Sequence, residues 1–234
     1  MRSKKLRQIA FVSHRYIGLI VGIVLAIVGL TGSLLVFEHE IDHALLSQQI
    51  GHFVPQEQRV PLATAIENVE AAYRDRLEFK EMKIEGAGMV PGEPYSIALA
   101  LPDDKSLQVY VNPNTGEVMG DRDWEKSFFH YVYELHYQLL AGDWGMYFVG
   151  ICALLLLVLS ITGILLWPGW NKLISGFKIK WNAHPKRTNY DMHKVAGIVA
   201  AVFLAMIAFT GFCWNFWEWS EPAIYAATFS PKPP

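Results

Sequence analysis

Three apolar runs without a single charged residue, at 16–37, 144–167 and 195–217, constrain this chain more than any other feature. Each has about the 20 residues needed to cross a bilayer as a helix. Backbone amides in hydrocarbon must be satisfied internally, so each run is read as a membrane helix. The first run is too long for the apolar core of a signal peptide and lacks a small-x-small cleavage site, so it is read as a retained span.

Charge outside the runs sets the expected orientation. Residues 1–15 carry Arg2, Lys4, Lys5, Arg7 and Arg15 and no acid, and residues 168–194 carry six basic residues against Asp191 alone. Residues 38–143 hold eight basic and nineteen acidic residues. Positive charge stays inside, so the N-terminus and second loop are expected in the cytoplasm. If the source is bacterial, the long acidic segment and the tail face the periplasm across the inner membrane. Cys152 and Cys213 both lie within apolar runs, which excludes a disulfide scaffold, and no C-x-x-C-H is present for covalent haem.

The expected fold class is a membrane all-α bundle of three transmembrane helices, with a small α+β domain inserted between the first and second spans. Its segments are a cytoplasmic N-terminus (1–15), span one (16–37), a juxtamembrane extension (38–57), the inserted domain (58–122), an interfacial amphipathic helix (123–143), span two (144–167), a cytoplasmic loop (168–194), span three (195–217) and an outer tail (218–234). In the inserted domain, Pro61–Arg76 has helical periodicity with Ala65, Val69, Ala72 and Tyr73 on one stripe. Strand-like runs follow at 78–84, 95–101 and 107–111, and 117–119 resumes as a strand. Turn chemistry separates them at Gly86–Gly92, Pro102–Lys105 and Asn112–Gly116.

Histidine gives the first chemical signal. His14 is followed by Gly18 and Thr31-Gly32, and His193 by Gly197 and Thr210-Gly211. Both read H-x3-G-x12-T-G, each leading into a span. Spans one and three run in the same direction, so the two imidazoles are expected at one depth, facing a common metal. Arg15 and Lys194 directly follow them and could meet acidic groups of a cofactor, or serve only as positive-inside residues. Span two carries its own Thr162-Gly163. Such small pairs let helices approach closely and also leave room for a flat cofactor.

A second group lies at the other membrane surface. From His14 to His39 is 25 residues, about 2500° at about 100° per residue, within about 20° of whole turns. His43 returns near the same face. His136 is the best partner from the second span, and His130 a weaker one. The cluster Glu38, His39, Glu40, Asp42 and His43 admits another reading, a Zn²⁺ or Cu²⁺ site without haem. His52 and His184 are read as loop residues. No nicotinamide or flavin fingerprint, Walker A motif, Ser-His-Asp constellation or H-E-x-x-H motif stands out, and no nucleic-acid partner is expected.

His14-Arg-Tyr-Ile-Gly18, Leu30-Thr-Gly-Ser-Leu-Leu-Val-Phe37-Glu-His-Glu-Ile-Asp42, Leu135-His-Tyr-Gln-Leu-Leu140, Ser160-Ile-Thr-Gly-Ile-Leu-Leu-Trp167 and Asp191-Met-His-Lys-Val-Ala-Gly197 together resemble the PepSY-associated transmembrane helix family. Val109–Gly120 resembles the close of a PepSY domain. The resemblance covers nearly the whole chain. It implies b-type haem, two per functional unit, with His14, His136 and His193 as ligands and His39 a further one (His43 its alternate). It also implies electron transfer from a cytoplasmic donor to a periplasmic ferric siderophore or other ferric chelate. The chain ends about 15 residues after its third span, and a thin three-helix bundle suggests a homodimer or a partner subunit. Two other functions stay open: a membrane-anchored PepSY module that binds a periplasmic partner such as a peptidase, and a metal-binding accessory using Glu38 to His43.

Overall fold

The computed structural model describes residues 2–52, 54, 56, 58–87, 93–102 and 105–230. The expected turns at Gly86–Gly92 and Pro102–Lys105 fall largely outside them, at 88–92 and 103–104. The chain divides into two compact units, Met1–Leu30 with Leu135–Pro234, and Thr31–Glu134.

The first unit holds three helices long and apolar enough to cross a membrane: α1 (Arg2–Leu35), α5 (Gly142–Leu166) and α7 (Pro185–Asn215). Side-chain contacts give their directions. Gly18 faces Leu159, and Val21 packs with Cys152 and Leu159, so α5 runs against α1. Gly211 faces Ala153, and Asn215 Nδ2 donates to Met146 O at 2.9 Å, so α5 runs against α7 as well. α1 and α7 are therefore parallel. Close approach needs small residues: a Cβ on Gly150 would lie 2.5 Å from the Phe216 ring. Leu19, Ile20 and Ile23 on α1 and Val202, Phe203, Met206 and Ile207 on α7 stay exposed, which suits a lipid-facing surface.

Two helices begin earlier than the apolar runs suggest. α1 starts at Arg2 and α7 at Pro185, so His14 and His193 lie 12 and 8 residues inside their helices rather than at the mouths. Pro185 suits a first helical position, and the His184 side chain accepts from Lys186 N at 3.4 Å as its N-cap. The tail differs too: Trp217–Thr228 forms α8, with Pro222 inside it, a residue that argues against a helix when read alone.

In the second unit α2 (Glu38–Ile50) and α3 (Leu62–Tyr73) accompany a four-stranded antiparallel meander in the order β1 (Glu81–Ala87), β2 (Tyr95–Ala100), β3 (Ser106–Val111) and β4 (Val118–Asp123). Ile97 pairs with Val109 and Leu99 with Leu107. Ala65, Val69 and Tyr73 of α3 bury against Tyr95, Ile97, Leu99, Val109 and Val111. Each fully buried Val, Leu or Ile contributes about 1.5–3 kcal/mol from water exclusion. Gly116 closes the last turn at φ 77°, its carbonyl accepting from Asn68 Nδ2 at 2.7 Å. Arg122 on β4 grips Asp42 on α2 with two parallel bonds of 2.7 and 2.9 Å, which fastens helix to sheet.

Candidate functional site

α1 and α7 bring His14 and His193 together, with ring centroids 6.1 Å apart and planes at 70°. Two imidazoles on opposite sides of one metal ion, each bonded at about 2 Å, have ring centres about 6 Å apart. The centroid spacing is compatible with two ligands of one metal, and it is also that of an edge-to-face ring contact. His14 is half-buried and His193 exposed, so the pair opens onto the bundle surface rather than into a closed core. Gly197, one turn beyond His193, has open space where a Cβ would stand. That space leaves room for a flat group beside the ring.

The third helix sets the His14 tautomer. Thr162 Oγ1 lies 2.9 Å from His14 Nδ1 and donates its one proton to helix carbonyls, at 2.7 Å from Val158 O and 3.1 Å from Leu159 O. It therefore accepts from Nδ1–H, and the lone pair of the ring sits on Nε2. A ligating histidine is commonly held this way, its second nitrogen fixed by a protein oxygen. Gly163 makes the space: a Cβ there would stand 3.3 Å from His14 Cε1. The repeated Thr-Gly was readable in the sequence as packing, but its hydrogen-bonding role was not.

Beyond His193 the chain is stapled by ions. Asp191 has no exposed surface and accepts from Arg187 Nε at 3.1 Å, Lys180 N at 3.3 Å and Lys194 Nζ at 3.0 Å. The Lys194 ammonium also donates to Ser175 O at 3.0 Å and Lys178 O at 2.9 Å. Its three protons are thus spent, and its side chain is only 5% exposed. Lys194, read from the sequence either as a partner for acidic groups of a cofactor or as a positive-inside residue, ties α6 (Leu173–Phe177) and the residues after it to α7, because a buried ammonium requires local acceptors. Arg15 is exposed, with its guanidinium 5.8 Å from the Tyr16 ring, and keeps its charge outward.

His136 occupies a different part of the same unit. It ends α4 (Phe128–Gln138), and its Nδ1 lies 3.0 Å from Val28 O of α1. A carbonyl only accepts, so Nδ1 carries the proton and the lone pair is again on Nε2. Burial pushes its pKa below the ordinary value, which favours the neutral ring. The turn into α5 is tight. Leu139, Leu140 and Gly142 all adopt left-handed φ, at 53°, 57° and 58°, and a Cβ on Gly145 would collide with Gln138 O. Val28 is 14 residues beyond His14 on α1, about 21 Å along the axis.

The remaining candidates lie in the inserted unit. His39 on α2 is 70% exposed, with Nε2 2.7 Å from Glu93 Oε1. His43 lines a separate small pocket with His52. The helical arithmetic linking His39 and His43 to His14 does not hold. The helix is interrupted at Val36–Phe37, where Phe37 takes φ −103° and ψ 17°, so the continuous helix that the count assumes is not present. His130 packs edge-on to Trp124 at 6.2 Å. Among the described residues no group of three or more His, Cys, Asp or Glu is placed to hold a metal.

No curated protein matches the sequence. The model of one family, described as the PepSY-associated TM region, matches residues 11–234 and takes in all three spans with the domain between them. The chain is a multi-pass membrane protein and belongs to the PepSY-associated TM region family.

Proposed function

We propose that this protein holds b-type haem in the membrane and conducts electrons across it to a ferric chelate, such as a siderophore complex, on the far side. One observation carries the reading: the His14 and His193 rings stand 6.1 Å apart, a spacing that two ligands of one metal can have, and Thr162 leaves the His14 lone pair on Nε2. Two ligands suit a group that brings its own equatorial donors. The open space at Gly197 admits a flat ring, and the exposed Arg15 is a cation for acidic side groups. When bound, haem supplies a one-electron couple whose potential follows axial ligation and burial.

The basic segments 1–15 and 168–194 support a cytoplasmic placement of the His14 and His193 end in a bacterial inner membrane. Electrons enter there from a cytoplasmic donor. His136 is the ligand the bundle offers to a second haem, its lone pair aligned by Val28 O.

An optical spectrum of the purified protein from haem-replete cells, with a pyridine haemochrome assay, tests this. A Soret band with sharp visible bands on reduction is expected. A colourless preparation that takes up no added haemin refutes it.

A further inference from the structure

A pocket of about 30 Å³ in the inserted unit is lined by His43, Ser47 and Ile50 of α2, by His52 and by Met119 of β4. A water needs roughly 10–15 Å³ of such space, so the pocket accommodates one small ion. We infer that it is a copper site, filled by Cu(I) and held by the His43 and His52 imidazoles and the Met119 thioether.

The backbone assembles these residues. His43, Ser47 and Ile50 share one stripe of α2, spaced as one helix face requires. Gly51 then takes φ 84° and ψ 177°, a region essentially closed to other residues, which ends the helix and returns His52 to the stripe. Met119 comes from the strand packed against that stripe. The clamp is firm on both sides: Asp42, beside His43, holds Arg122 of β4 through two bonds, and Gly120 brings β4 so close that a Cβ there would stand 3.0 Å from Ile50 Cγ2. Ser47 Oγ donates to Ala44 O at 3.0 Å. Its proton is thereby occupied within the helix.

Donor chemistry selects the ion. A thioether is a weak hydrogen-bond acceptor, so a methionine beside two imidazoles is a poor water site. Structural zinc takes thiolate, imidazole and carboxylate donors, and no Cys, Asp or Glu lines this pocket. Imidazole with thioether favours copper, and the soft sulfur favours Cu(I). The surrounding segment 38–143 is acidic, nineteen against eight, and its field concentrates cations. The site is independent of the haem reading, since it uses none of the bundle histidines.

Competition between the full-length protein in detergent and a chromophoric Cu(I) chelator tests the site, with Zn²⁺ run in parallel. One Cu(I) per chain is expected to resist the chelator. His43→Ala and the near-isosteric Met119→Leu should each weaken retention about tenfold or more, while Gln48→Ala, exposed on the same helix and outside the pocket, should leave it unchanged. Failure to retain Cu(I), an unchanged affinity in Met119→Leu, or Zn²⁺ held as tightly as Cu(I) overturns the assignment. A sulfur neighbour in the X-ray absorption spectrum of the copper-loaded protein, lost in Met119→Leu, would support it independently.

Discussion

His14 and His136 are prepared alike and partnered differently. In each, a protein oxygen takes the Nδ1 proton and leaves the lone pair on Nε2. His14 uses a side-chain hydroxyl, and a second ring stands 6.1 Å away on a parallel helix. His136 uses a main-chain carbonyl, that of Val28, at the tight α4–α5 corner. The difference separates two tasks. Orienting one imidazole needs only an acceptor, whereas completing a two-ligand site needs two parallel helices in register. The H-x3-G-x12-T-G repeat marks that register.

The largest expected effect separates the two positions outright. His193→Ala should abolish the haem bound by the His14 pair, and His136→Ala should leave that species intact; equal loss from both variants, read by difference spectra, would merge the two sites into one. Next comes the hydroxyl. Thr162→Val keeps the shape but removes the acceptor, so haem affinity should drop about 10- to 100-fold, as outer-shell partners usually cost. Thr162→Ser should restore it, and haemin titration distinguishes the two. Gly163→Ala places a methyl 3.3 Å from His14 Cε1. A ring shift of tenths of an ångström should alter the reduced spectrum and potential with little loss of affinity, and an unchanged redox titration would show that the ring does not feel this wall.

The smallest effect concerns pH and belongs to His136. Its folded pKa lies below the ordinary histidine value, because burial penalises the charged ring. Its full contribution to stability is therefore present above about pH 6.5, the unfolded value. It declines as pH falls from there toward the folded pKa, since the unfolded chain binds the proton first. Melting curves on either side of that window should show the decline in the parent protein and a flatter response in His136→Gln.

Much of the architecture was legible in residue pattern. The charge-free runs marked the three spans, and the stripe Ala65, Val69 and Tyr73 marked α3. Val109-Tyr-Val111 with the Asn112–Gly116 turn marked the last hairpin. These features are local, and periodicity records them. The proximity of His14 and His193 was also legible, because parallel helices with equal spacing carry equal residues to one depth. Other features depend on tertiary contacts. Lys194 could not be separated from a free surface cation until the carbonyls of Ser175 and Lys178 were placed around it. The break at Val36–Phe37 carries no Pro or Gly to announce it. Thr162 looked like one of three packing pairs, and only its neighbours single it out. The copper pocket draws residues from a helix, a loop and a strand, a combination no linear spacing encodes.

The hydroxyl at Thr162 has a single proton, already committed to the helix behind it, and this sets which substitutions evolution can accept there. Serine supplies the same acceptor and should interchange freely with threonine among relatives. Valine, nearly identical in outline, should be rare wherever histidine occupies position 14. The adjoining glycine should vary in concert with that histidine, since a relative that abandons the imidazole no longer needs the gap. The three positions are expected to change together although they lie on two helices, with Thr162 148 positions beyond His14 in the chain.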